Sequence, residues 1–317
     1  GGLITGEEWI ENEEETTYTD KVRKHWQGYE LSAPQLVWRR NKTLTLKKQF
    51  RQEYPVTPEE AFVSSGQGFF SEESLQRIEE GLRGPEAVEV PIKYRELRPM
   101  ASHFHCWKRP QEKKWYVLGV DPSEGLNQEG TDHDYSPVQV LDYSTWEQVA
   151  RLYGRFEPVD LALIVNDIAH WYNMGLLVIE RNNHGHSVIN TLMNQCGYPL
   201  QKNHEVSGLY VHREFDARKP TTLPRPGWPE NPKTKALLAN SLRQATEDGT
   251  LLINDVDTWR EMRTFSKLPG GQIGGEAGTH DDLVIALGLA VVVLPKSTPL
   301  LEKGPQQNKQ GHYGSYR

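Results

Sequence analysis

Cysteine is nearly absent from this chain of 317 residues: Cys106 and Cys196 are the only two, far apart. A disulfide framework is excluded, and so is a C-x-x-C metal pair. That usage fits a reducing compartment, and no signal peptide opens the chain, so a secreted protein is not expected. No apolar run reaches the roughly 18 residues a membrane span needs. The longest, LVIALGLAVVVLP from Leu283, reads as a buried helix. Positive charge is in deficit, with 36 Lys and Arg against 43 Asp and Glu, a net charge of −7. A surface coated in nucleic acid is therefore disfavoured, although local patches and bound cations count for more than the total. There is no G-x-x-x-x-G-K-[ST] phosphate loop, no G-x-S-x-G elbow and no G-x-G-x-x-G turn, so no nucleotide-driven motor or serine hydrolase is read here.

What is present is an ordinary soluble composition, 36% hydrophobic and 25% charged, with periodic segments from Trp115 onward. WYVLGVD, SPVQVLDY and EQVARLYGRF predict three strands in an antiparallel meander. PVDLALIVNDIAHWYN predicts a helix, GLLVIER a buried strand, HSVINTLMNQCG a helix and GLYVHR a fifth, shorter strand. ARKPTTLPRPGWPENP is too rich in proline for regular structure and reads as a long loop. KTKALLANSLRQATEDG and VDTWREMRTFSKL read as helices, TLLIND as an extended piece, PGGQIGGEAGTH as a hairpin or loop, and DDLVIALGLAVVVL as the last helix. This order suits an α/β fold, a mixed sheet with helices on both faces.

Upstream, APQLVWRRNKTLTLKKQFRQEY reads as helical, Thr57 caps a short helix, and Ser71 caps another that stops near Gly81 or Gly84. The expected organisation is an N-terminal arm over 1–110, partly packed on a core domain over 111–295. A polar, flexible tail is expected over 296–317.

Acids crowd the stretch VLGVDPSEGLNQEGTDHDYSPVQVLD. Asp121, Glu124, Glu129, Asp132 and Asp134 have no Lys or Arg among them. Asp121 ends a predicted strand, Glu180 ends another, and Asp281 and Asp282 open a helix. Strand ends and helix starts at one sheet edge commonly converge on a site. Two carboxylates about 4 Å apart repel by roughly 4 kcal/mol at an effective dielectric of 20. A divalent cation relieves this, and oxygen-only ligands suit Mg²⁺ or Mn²⁺. Two such ions about 4 Å apart are the arrangement for phosphodiester cleavage. Taken singly, each acid has a plain alternative: strand ends emerge into solvent, and carboxylates favour a helix N-terminus. Glu124, Glu129 and Asp132 read as solvated loop acids. Asp134 re-enters the sheet beside Asp121, either in a metal-related role or capping a turn.

His103, His105 and Cys106 in SHFHCW read as strand alternation, since zinc would need further ligands at suitable spacing. Asn182 and His184, just beyond Glu180, are candidates for phosphate contact or for turn chemistry. Arg213, Arg218, Lys219, Arg225, Lys233 and Lys235 gather around the proline-rich loop as a candidate DNA-binding rim. Phosphate contacts carry no sequence information, so weak sequence preference is expected.

GVDPSEGLNQEGTDHDYS, LLVIERNNHG, GTHDDLVIALGLA, GWPENPKTKALLANSLRQATEDG and FRQEYPVTPEEAFVSSGQGFF together resemble the large terminase subunit of tailed double-stranded DNA bacteriophages. The likeness is to its C-terminal nuclease domain and the segment joining it to the motor, from about Trp38 to Leu294. The resemblance implies a ribonuclease H-like fold with a mixed sheet of five or more strands. It implies an endodeoxyribonuclease with a two-metal Mg²⁺ or Mn²⁺ site held by Asp121, Glu180 and Asp282. Asp281 would be an adjacent ligand or supporting acid and Asp134 the auxiliary acid. Asp281 and Asp282 differ by about 100° in direction on a helix, so only one can point fully inward. His280 beside them can orient a water or a phosphate, or serve as a cap. The implied partners are concatemeric double-stranded viral DNA, the small terminase subunit and the capsid portal, in the host cytoplasm during virion assembly. No membrane is implied, and the isolated domain is expected to be monomeric. The opening GGLITGEEWI reads either as an arbitrary boundary of the sequence or as the remnant of the motor's end. A junction resolvase or transposase of the same fold, or a non-catalytic docking module, are the alternative readings.

Overall fold

The computed structural model describes residues 18–20, 22–23, 28, 30–46, 54, 68–123, 135–202, 205–214, 223–229, 231–268, 271–276 and 278–294. Contacts divide the chain into two compact units, Gly1–Gly68 and Phe69–Arg317. In the first, helix α1 (Ala33–Leu46) begins where the sequence predicts it. Trp38 meets Tyr54 edge-on at 4.7 Å. The predicted cap at Thr57 lies outside the described residues.

The second unit opens with helix α2 (Glu72–Gly81), capped by Ser71, whose side chain accepts from the Ser74 amide. Strands β1 (His105–Cys106), β2 (Tyr116–Val120), β3 (Val138–Asp142) and β4 (Gln148–Leu152) follow. β2, β3 and β4 form the expected antiparallel meander, with β1 added outside β4. Helix α3 (Pro158–Trp171) crosses over to β5 (Leu176–Arg181), which lies parallel to β2 on its other side. Helix α4 (Asn183–Asn194) then leads to β6 (Gly208–Leu209), parallel to β5. The sheet runs β1-β4-β3-β2-β5-β6, and a short strand, β9 (Trp228–Pro229), also pairs with β5. This mixed sheet, flanked on both faces, is the predicted α/β architecture.

The faces follow from the strand period of two. Leu118, Val120, Val140 and Leu152 pack with Ile164, Ile168, Val188 and Leu192 of α3 and α4. Val117, Leu141 and Val178 pack with the opposite layer, made of α2, helix α5 (Pro232–Glu247), helix α6 (Val256–Thr264) and helix α7 (Asp282–Val293). α7 is buried on every side from Asp282 to Val291, which is why its sequence is apolar all round. No helix among the described residues is long and apolar enough to cross a membrane.

Two segments depart from the sequence expectation. GLYVHR is not one strand: Tyr210 interrupts it, its amide donating to Leu177 O at 2.8 Å, and the chain continues as β7 (Val211–Glu214). β7 forms an antiparallel ribbon with β8 (Leu223–Pro226), inside the segment expected to be a loop. A two-stranded ribbon is all edge, so Pro224 and Pro226 need donate to no central ladder. The predicted helix VDTWREMRTFSKL ends at Thr264, and Phe265–Lys267 becomes β10, paired with β11 (Ile273–Gly275).

A buried polar network fixes α6 on the sheet. Gln148 Oε1 accepts from the amides of Asn254 and Asp255, each at 2.8 Å. The Arg151 guanidinium binds Asp255 with two hydrogen bonds, at 3.1 and 2.9 Å. Asp255 in turn caps α6, accepting from the Thr258 amide at 3.0 Å. These polar residues interrupt otherwise apolar strands because the start of a helix, with its unpaired amides, sits on them.

Candidate active site

β2 and β5 are parallel neighbours, so both point their C-terminal ends at one edge of the sheet. The register pairs Val120 with Ile179, which sets Asp121 abreast of Glu180. Burial drives the Asp121 carboxyl well above the usual carboxylate range. The charge of Glu180, a hydrogen bond between the two carboxyl groups, and the charges of Asp282 and Asp281 push the same way. Glu180, Asp281 and Asp282, all singled out in the sequence, thus act together on the Asp121 carboxyl group.

Asp281 and Asp282 reach this edge because α7 lies close against β2. A Cβ on Gly119 would fall 1.9 Å from Ala286 O and 2.8 Å from Ala290 N. Only glycine permits that approach. On its other side α7 presses on α5, where a Cβ on Gly288 would sit 2.0 Å from Leu238 Cδ2.

The start of α7 is unusual. Asp281 holds the N-cap position, yet its side chain makes no capping bond. Glu261 of α6 does that work: its Oε2 accepts from the Leu283 amide at 2.8 Å, and the Val284 amide lies close enough to act on the same carboxyl. The Asp281 carboxylate instead faces Lys235 of α5, Nζ to Oδ2 3.4 Å. Lys235, read from the sequence as part of a DNA rim, is placed among the acids. It supplies a counter-charge that no sequence neighbour provides. Asp282, only 9% exposed, accepts from the Tyr135 amide at 3.3 Å and has His280 Nδ1 at 3.7 Å.

Glu261 is half-buried, and its carboxyl is pushed up to about 8, chiefly by burial and then by the charge of Asp282. The two backbone amides act in the opposite direction. The Tyr153 hydroxyl donates to its other oxygen at 3.4 Å. Tyr153 stacks on Tyr135 with centroids 4.3 Å apart, and the Arg155 guanidinium lies 4.6 Å from the Tyr135 ring centre. His280 meets the same ring edge-on. Glu261, Tyr135 and Tyr153 were missed by sequence reasoning. Glu261 sits in an amphipathic helix among other polar residues, and nothing local marks it.

Asn182 caps α4, accepting from the Gly185 amide at 2.7 Å, and donates to Pro122 O at 2.8 Å. It ties the segment after β2 to the one after β5. A Cβ on Gly185 would lie 1.8 Å from Glu180 O, so that turn also requires glycine. His184 is half-buried in the first turn of α4. Arg225 on β8 and Lys233 at the start of α5 are exposed, and Arg213 lies on β7. Asp134, Arg218 and Lys219 fall outside the described residues. Cys106 is buried against the Tyr172 hydroxyl at 3.5 Å, while His105 stands half-exposed beside it, as strand alternation requires.

As the side chains stand, no group of three or more His, Cys, Asp or Glu among the described residues could hold a metal ion. The donor set itself still suits a hard divalent cation: carboxylate oxygens only, close enough to raise the Asp121 carboxyl well above its usual range.

An antiparallel meander, a crossover to a parallel strand, and helices on both faces make this a ribonuclease H-like fold. The family model described as the terminase RNase H-like domain matches residues 118–293, more than half of the chain, and the chain belongs to that family. Among solved structures, the magnesium-bound large terminase nuclease from thermophilic phage G20c is 17% identical, with a TM-score of 0.49, covering 71% of this chain and 96% of that one. The zinc-bound form of the G20c nuclease is 16% identical (TM-score 0.44, 69% and 96% covered). The large terminase nuclease domain of Thermus phage P74-26 is 18% identical (TM-score 0.45, 68% and 93% covered).

Proposed function

We propose that the acidic edge is the active site of a metal-dependent DNA endonuclease, the cutting domain of a phage genome-packaging terminase. One observation carries this reading: the parallel register of β2 and β5 sets Asp121 abreast of Glu180, and the close packing of α7 on β2 brings Asp281 and Asp282 to the same edge. Such a cluster is costly unless a cation joins it. Asp121, Glu180 and Asp282 would hold Mg²⁺ or Mn²⁺, with Asp281 as neighbour or further ligand and Asp134 as auxiliary acid. A bound pair of such ions would activate the attacking water and stabilise the leaving oxygen of a phosphodiester.

The chain's own residues supply the frame. The Tyr135 amide and His280 hold Asp282, Lys235 restrains Asp281, and Asn182 joins the two strand ends. Arg213, Arg218, Lys219, Arg225 and Lys233, with Asn182 and His184, would contact the DNA backbone. Backbone guidance without base contacts fits cutting with little sequence preference. The fitting substrate is concatemeric double-stranded viral DNA, and the partners to seek are the small terminase subunit and the capsid portal.

The test is cleavage of supercoiled and linear plasmid with Mg²⁺, Mn²⁺ or EDTA. Wild type should cut with either metal and stop in EDTA. Glu180→Gln and Asp282→Asn should lose more than about 100-fold, since even outer-shell partners of a metal are worth 10–100-fold. Calorimetry should show Mn²⁺ binding to wild type and little to these variants. Full cutting by both variants, with folding intact by circular dichroism, would sink the reading.

A further inference from the structure

We infer that Glu261 is a positioning residue: by capping α7 from the side, it leaves the carboxylate at the helix's own N-cap, Asp281, available to the site.

The usual N-cap acid satisfies the amides of its own first turn. Asp281 stands in that place and does not do so. Those amides cannot go without acceptors in a buried helix start. Glu261 takes the role from 20 residues upstream, accepting from the Leu283 amide at 2.8 Å. Asp281 is thereby turned to Lys235 and the acid cluster.

The same carboxylate reaches Asp282 by a second route. Glu261 Oε1 holds the Tyr153 hydroxyl, Tyr153 stacks on Tyr135, and the Tyr135 amide donates to Asp282 Oδ2. Asp282 is therefore braced on both sides by groups that meet at Glu261. The brace is stiff because α6 is itself anchored through Asp255 to Arg151 and Gln148 on the sheet. Placing Glu261 beside Asp282 and Asp281 is unfavourable on its own, and the amides of α7 offset only part of that cost.

The inference rests on the nuclease reading where activity is concerned, so its test has three readouts. They are Mn²⁺ affinity by calorimetry, cleavage rate at saturating Mn²⁺, and amide hydrogen exchange at Leu283 and Val284. Glu261→Ala should speed exchange at both amides and weaken Mn²⁺ binding by about 10-fold or more, the usual loss for an outer-shell partner. Glu261→Gln, which keeps an acceptor oxygen, should recover most of that loss. Glu261→Asp, shorter by one methylene, should resemble Ala and serves if Ala does not fold. Tyr153→Phe should weaken Mn²⁺ binding less and leave the two amides protected. If Ala and Asp merely lower the thermal midpoint, with affinity and cleavage rate unchanged, the positioning role is overturned. If wild type neither binds Mn²⁺ nor cuts, the nuclease reading fails instead. Exchange at Leu283 and Val284 then still decides whether Glu261 caps α7.

Discussion

Two aspartates stand at opposite ends of the same strand pair. Asp142 is the last residue of β3, paired with Tyr116 at the start of β2, and Asp121 follows Val120 at the other end of β2. Burial alone would raise both carboxyls. Asp142, only 3% exposed, is nevertheless held below the usual range. Lys114 Nζ donates to it at 2.8 Å, Ser144 donates from its amide at 2.9 Å and its hydroxyl at 2.6 Å, and Thr145 N adds a weaker bond at 3.3 Å. Asp121 meets carboxylates instead and moves the other way. Burial therefore does not decide which way a carboxyl moves; the company does. One end of the ladder closes its charges internally, and the other gathers carboxylates where the proposed cation would sit.

Exchanging the charges should break the symmetry most visibly in activity. Asp121→Asn should reduce plasmid cutting by more than about 100-fold, because an inner ligand should matter more than the outer partners worth 10–100-fold. Asp142→Asn should leave cutting within about twofold, as nothing connects it to the acid cluster. Assayed side by side, a comparable loss in both would show that the two ends do not differ in kind. Stability should move in opposite directions. Asp121→Asn removes a repelled charge, and a gain of about 1 kcal/mol would raise the midpoint of a domain this size by roughly 2–4 °C.

Geometry can be disturbed at one end without touching any charge. Gly119→Ala places a methyl where Ala286 O now lies 1.9 Å away, so α7 must retreat and carry Asp282 from Asp121. The expected cost is about 1–3 kcal/mol in urea unfolding, typical of overpacking. Mn²⁺ affinity should fall with it, while the Asp142 end keeps its bonds. A variant of wild-type affinity would mean that close packing of α7 on β2 is not what assembles the site.

The elements that carry the site were legible because their signals are local. Apolar runs closed by an acid marked β2 and β5, and an apolar run opened by two acids marked α7. Asp121, Glu180, Asp281 and Asp282 follow from those runs without knowing the topology. What stayed hidden depends on chain segments far apart. Lys235 meets Asp281 across 46 positions, and Tyr135 meets Asp282 across 147. The exchange of capping duty from Asp281 to Glu261 reverses the local rule, since a sequence reader assigns the cap to the residue at the N-cap. The β7–β8 ribbon was hidden for another reason. Proline argues against a central strand, but says nothing against a two-stranded ribbon.

The smallest expected effect is the pH dependence at the closed end, and its sign is fixed. The folded-state pKa of Asp142 lies below its ordinary 3.8. The folded state therefore binds that proton less readily than the unfolded chain, and the carboxylate contributes stability fully above the unfolded value. That contribution is lost as pH falls through the lowered folded value. Urea unfolding of wild type and Asp142→Asn should differ at pH 7 by about 1–3 kcal/mol, the cost of leaving buried partners unsatisfied. The difference should shrink below pH 3.8 and approach its minimum once the folded-state carboxyl is protonated. Lys114→Met should reproduce part of the loss at pH 7, because Ser144 still donates to Asp142. A wild-type advantage that persists undiminished at the lowest pH would mean that packing around Asp142, not its charge, holds this end of the ladder together.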